Sequence, residues 1–145
     1  MRLLTVLLLL FSGIASAATP EAPLSCVKSD QSFKAFLSRF TDDIAFQRSR
    51  LVLPLVSRFG DYEMGLQKVE LLSRPNIEKL KDLLIYSRAE LKKLNLAQSV
   101  LLLQKDRYAE MYQANAGEAD DTRLLYKFRN VSGCWFLEET HDRSL

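Results

Sequence analysis

The sequence predicts an α+β domain: a curved antiparallel sheet with two to three helices packed on one side. Three observations predict it. Apolar residues recur at helical spacing in 33–40 and again in 77–91. Six other runs, at 51–56, 66–72, 100–103, 108–112, 124–128 and 134–137, are alternating or rich in β-branched and aromatic residues. Helices come mostly first and an antiparallel meander comes last, an order that segregates helices to one side of a sheet.

Residues 1–17 carry the pattern of a secretory signal peptide. Met1 and Arg2 precede an apolar run at 3–11, broken only by Thr5, and Ala15-Ser16-Ala17 forms an A-x-A cleavage site. The run is shorter than the roughly 20 apolar residues that span a bilayer. Cleavage is expected after Ala17, which places the mature chain outside the cytoplasm. Residues 18–29 read as a loose arm, and 30–145 as a single domain.

Asp30 can cap the first helix, in which Phe33, Phe36, Leu37 and Phe40 fall at i, i+3, i+4 and i+7. Thr41 or Asp42 restarts a second short helix, with Ile44 and Phe46 inward and Gln47, Arg48 and Arg50 outward. The run 51–56 is too apolar for a loop, and Pro54 pushes that strand toward a sheet edge or a bulge. Glycines at 60 and 65 bound a turn, and 66–72 is the return strand of a long-looped hairpin. Pro75 suits the first turn of a third helix, which breaks near Ser87 and ends at Asn95. Four short strands complete the chain, with a polar turn at 116–121 and a tight one at 130–133.

The chain has 145 residues, with 20 Lys and Arg against 18 Asp and Glu. Removing the leader takes away Arg2 and no acid, so the balance stays near neutral. That argues against a nucleic-acid binder, which carries a clustered basic excess. No later segment is apolar enough to cross a membrane. A lipid anchor is not expected either, because Pro23-Leu24-Ser25 before Cys26 is a poor lipobox. Cys26 and Cys134 are the two cysteines, and export favours a single bridge between them. Such a bridge would close a loop of about 109 residues and stabilise the fold by ~4–5 kcal/mol in the chain-entropy model. The other reading is two free, buried thiols.

Candidates for chemistry are thin. His141 is the only histidine, and beside Asp142 it reads as an exposed tail pair rather than a dyad. No cluster has zinc-ligand spacing, and no phosphate-binding glycine loop occurs. No catalytic residue, cofactor or metal is therefore expected. Asp42 with Asp43 and Asp120 with Asp121 suit a helix start and a turn; Asp61 with Glu63 and Glu138 with Glu139 are the other acid pairs. Arg39, Arg48, Arg50 and Arg58 either line one surface or form a solvated helix face. The loop Gly60, Asp61, Tyr62, Glu63, Met64 and Gly65 differs from these. An aromatic, a Met and two carboxylates on a hairpin tip suit entry into a partner's cleft. The alternative is an ordinary loop with Tyr62 folded back on the sheet.

The stretch Phe46-Gln47-Arg48-Ser49-Arg50-Leu51-Val52-Leu53-Pro54-Leu55, the GDYEMG loop, the leader and the mature size resemble periplasmic immunity proteins of bacterial type VI secretion. Those proteins protect the producing cell and its sisters from an injected, peptidoglycan-degrading muramidase effector. The resemblance implies a periplasmic inhibitor, not an enzyme, that occludes the effector's groove in a tight heterodimer. It assigns Tyr62 and Met64 to buried contacts, and Asp61 and Glu63 to polar groups or a calcium ion of the effector. The Phe-Gln-x-x-Arg and Pro-Leu elements, with Gly133-Cys134-Trp135-Phe136-Leu137, are also similar to secreted domains with an NTF2-like, cone-shaped fold. That likeness implies a periplasmic module holding a small apolar ligand, with Tyr108, Tyr112, Tyr126, Phe128 and Trp135 around it. An enzyme of the cone fold would need a positioned acid or His141 in the same place.

Overall fold

The computed structural model describes residues 24–60, 65, 67–115 and 123–143. The expected leader, the first part of the arm and the 116–121 turn lie outside the described residues. Helix α1, Phe33–Phe40, buries Phe33, Phe36, Leu37 and Phe40, as their spacing requires. Its cap is Ser32, whose hydroxyl accepts from the Ala35 amide at 3.1 Å. Asp30 is not the cap, because its carboxylate is engaged by Arg50 and by the Trp135 amide.

Helix α2, Ile44–Ser49, is capped by Asp43, which accepts from the Phe46 amide at 2.9 Å. The expected orientation is corrected by the fold. Gln47 and Arg50 are buried, whereas Ile44 and Phe46 are only half-buried. The polar side chains go inward because each finds fixed partners there: Gln47 donates to the Phe40 carbonyl at 3.2 Å, and Arg50 meets Asp30.

Strands β1, Leu51–Phe59, and β2, Lys68–Leu72, form the expected hairpin. Pairing with β2 starts only at Leu55, so Pro54 has no β2 partner, and the ladder on its other side shifts register between Leu51 and Val56. A proline without an N–H fits such a gap. The expected third helix is two: α3, Arg74–Lys79, and α4, Arg88–Lys93. Ser87 caps α4 in a box with Glu90. Between the helices, 80–87 is irregular and pinned by side chains. Leu84 N–H donates to Gln47 at 2.7 Å, Gln113 bonds both the amide and the carbonyl of Tyr86, and Arg48 donates to the Leu80 carbonyl.

Strands β3, Leu96–Leu103, β4, Tyr108–Asn115, β5, Arg123–Val131, and β6, Cys134–Asp142, complete one six-stranded sheet in the order β2-β1-β6-β5-β4-β3. It is not wholly antiparallel. β6 inserts between β5 and β1 and runs parallel to β1. A parallel pair needs a long connection, and the chain between β1 and β6 supplies one. Across from β5, Lys127 faces Glu139 and Phe128 faces Leu137, which leaves Glu138 as a bulge that bends the sheet. The core lies between α1 and the sheet face carrying Leu55, Met111, Phe128, Trp135 and Leu137. Phe33 meets Trp135 edge-on at 4.8 Å and Phe128 at 5.2 Å, and Phe40 meets Phe128 at 5.6 Å. Cys26 and Cys134 form a disulfide, with Cα atoms 6.1 Å apart, that fastens the arm to the start of β6.

Candidate functional site

The β1–β2 hairpin sits at one end of the sheet, and its two strands differ sharply. β1 buries Leu51, Leu53 and Leu55 and is half-buried from Val56 to Phe59, whereas Lys68 to Leu71 are exposed on both faces. Val69 is 47% exposed and Leu71 62%. Lys68 lies 5.1 Å from the centre of the Phe59 ring and pairs with Glu70 at 3.0 Å. Gly60, with φ at 119°, and Gly65, at 69°, adopt backbone that only glycine enters without strain. Asp61, Tyr62, Glu63 and Met64 lie outside the described residues, so it is the base of the loop whose geometry is defined.

Next to this hairpin, on the sheet face away from α1, Glu139 gathers three groups. Arg58 donates to it, His141 Nε2 lies 2.7 Å from Oε1, and Lys127 lies 3.3 Å from Oε2. Burial opposes ionisation of Glu139, but Arg58, His141 and Lys127 outweigh it and hold the carboxyl down at about 2. Burial pushes the His141 imidazole below its usual range, against the pull of Glu139. His141 is buried, not an exposed tail residue, and it turns to Glu139 rather than Asp142, since successive side chains on β6 face opposite ways. Among the described residues no three His, Cys, Asp or Glu assemble as metal ligands.

The four arginines singled out in the sequence do not share a surface. Arg39 is exposed, pairs with Asp43 and lies 4.1 Å from the Phe46 ring centre. Arg48 holds the Leu80 carbonyl, Arg50 is buried against Asp30, and Arg58 joins Glu139. The five aromatics expected around a ligand also separate. Tyr126, Phe128 and Trp135 are buried in the core, while Tyr108 and Tyr112 stand on the opposite face, where Tyr112 donates to Glu110 at 2.6 Å. Phe33, Phe36 and Phe40 of α1 pack against the face of Phe128 and Trp135 and fill the same core. Among the cavities that open nearer the surface, two adjoin these elements. One, of about 590 Å³, lies among the arm, α1 and α2 and is lined by Cys26, Lys28, Phe36, Arg39, Phe46 and Arg50. The other, of about 270 Å³, lies under 83–86, where Thr140 donates to Ser57 at 3.3 Å.

With this geometry the chain superposes on solved structures. An NTF2-like protein from Bacteroides fragilis NCTC 9343 matches with a TM-score of 0.53 at 15% identity, over 81% of this chain and 50% of that one. The fold is NTF2-like. The chain spans half the length of that protein. A cystatin-like protein from Bacteroides caccae ATCC 43185 matches at 20% identity over 80% of each chain, with a TM-score of 0.48. An NTF2-like protein from Cytophaga hutchinsonii ATCC 33406 matches at 10% identity over 77% of this chain and 91% of that one, with a TM-score of 0.38. No protein-family model and no curated protein matches the sequence.

Sequence reasoning missed two features of the NTF2-like sheet. The Asp30–Arg50 pair joins residues twenty apart, and nothing local announces it. Gln47 and Gln113 are buried polar residues whose amides replace a missing ladder, and the sequence around them gives no sign of this.

Proposed function

We propose that the chain is a periplasmic immunity protein, a binder and not an enzyme, that occludes the substrate groove of a muramidase effector with its β1–β2 hairpin. The observation that carries this reading is the exposed hairpin itself. Its outer strand is solvated on both faces, presents Val69 and Leu71, and follows a loop bounded by two left-handed glycines. A core filled with aromatic rings also favours function at the surface over function inside the cone. The disulfide fits an oxidising compartment, and no helix of the described residues is long and apolar enough to cross a membrane. In this reading Tyr62 and Met64 enter the groove, and Asp61 and Glu63 meet its polar groups or a calcium ion held by the effector.

The test is periplasmic co-export of a candidate muramidase with and without this chain, followed by lysis measurements. Protection that disappears when 60–65 is replaced by a neutral linker supports the reading. No protection against a panel of such effectors overturns it. Tyr62→Ala is expected to weaken the complex by ~2 kcal/mol or more in a calorimetric titration, and an unchanged affinity removes Tyr62 from the interface. The second reading, a small-ligand module, is favoured by the cavity beside the arm, where two arginines and Phe46 flank open space. Mass spectrometry of the protein released from its native compartment would reveal a copurified ligand.

A further inference from the structure

At the far end of the sheet from the hairpin, β3 is, among the described residues, an edge strand with none of the usual protection. Its eight residues, LAQSVLLL, include no charge and no proline. It pairs with β4 without a register shift, and the six residues from Ala97 to Leu102 are all exposed. Val100, Leu101 and Leu102 are 43%, 51% and 46% exposed. One row of backbone N–H and C=O groups therefore faces outward beside uncovered aliphatic side chains.

A groove of about 440 Å³ runs along the same edge, between β3 and α1. Val100 and Leu102 form one wall, because they pair with the buried Met111 and Ala109 and so face the helix side. Leu37 and Lys34 of α1 form the other, and Arg88 of α4 reaches across to the Ser38 hydroxyl at 2.8 Å. Among the described residues, Lys34 and Arg88 are the only charged ones lining this groove, and both are cations. Beyond the strand ends lie Lys92 and Lys93 on one side and Lys105 and Arg107, with Asp106, on the other.

We propose that this edge and groove bind an extended, acidic and apolar peptide segment of a partner protein by strand addition. The unpaired backbone selects an extended chain, the groove takes alternate apolar side chains, and the cations select acidic residues beside them. A second copy of β3 fits less well, since antiparallel pairing would set the cations at its ends against their own like. The site is separate from the hairpin, at the opposite end of the strand order.

The test uses the mature protein and a fluorescein-labelled nonapeptide with valine at alternate positions and glutamate between them. Fluorescence anisotropy is expected to show saturable binding that its lysine-for-glutamate counterpart lacks. N-methylation of alternate peptide amides is expected to abolish binding with the protein unaltered, and Val100→Lys to weaken it about tenfold or more. Equal binding of the two peptides, indifference to N-methylation, or no binding at millimolar peptide would overturn the proposal. So would a dimer, seen by sedimentation, that Val100→Lys dissolves and that excludes the peptide. Retained peptide binding when 60–65 is replaced separates this site from the hairpin.

Discussion

Asp30 joins three parts of the chain through one carboxylate. It accepts from both terminal guanidinium nitrogens of Arg50, Nη1 and Nη2, at 2.9 and 3.2 Å, and from the Trp135 amide at 2.8 Å. The two side chains are 10% and 8% exposed. Asp30→Ala would leave a buried cation without its counter-charge, and a loss of ~3–5 kcal/mol is expected in urea unfolding. Combining it with Arg50→Met should recover part of that loss, because neither charge then remains buried. In the sequence Asp30 has the look of a helix cap, since an acid three residues before an aromatic stripe has that meaning locally; its ion pair depends on where α2 lands. Glu139 makes a pH prediction. Its ionised form is favoured in the fold, so its contribution is complete above the ordinary carboxylate value of 4.5 and is lost as pH falls toward about 2. His141, lowered by burial, favours the neutral form, so its contribution is present above 6.5 and declines below it. Both push stability down in acid. Thermal melts of Glu139→Gln should therefore show a flatter pH dependence between 4.5 and 2 than the parent.

The segment 80–87 shows how an element can be held without a ladder of its own. Gln113 accepts from the Tyr86 amide at 3.3 Å and donates to its carbonyl at 3.1 Å, and Gln47 accepts from Leu84. Gln113→Leu would strand the Tyr86 amide and carbonyl, with an expected cost of about 2 kcal/mol. In hydrogen exchange, the Tyr86 amide should lose protection while the Leu84 amide, held by Gln47, and the β5–β6 ladder keep theirs. Leucine spacing suggests one helix through this region. Ser87 and Glu90 do announce α4, because a capping box is a local signal. The unwinding before it is not legible, because two glutamines from distant elements impose it. By contrast α1 is legible in full, since four aromatic or aliphatic residues at i, i+3, i+4 and i+7 admit one buried face.

For the whole molecule, strand existence follows from sequence and strand order does not. Nothing in 134–142 marks β6 as a central strand parallel to β1; that placement arises from long-range pairing. The disulfide is legible from two cysteines in a chain with an expected leader. Replacing both with serine is expected to lower stability by up to ~4 kcal/mol, measured as a fall in the urea midpoint, and a reducing agent should reproduce the effect on the parent.

The bridge also makes the chain from Cys26 to Cys134 a covalent ring, and β1 through β5 lie inside it. A protease that cuts once within the ring, for instance in the exposed turn at 104–107, releases nothing. Both pieces stay joined through sulfur and through the sheet. Such nicked protein should run as one band on a denaturing gel until thiol is added, and only then as two.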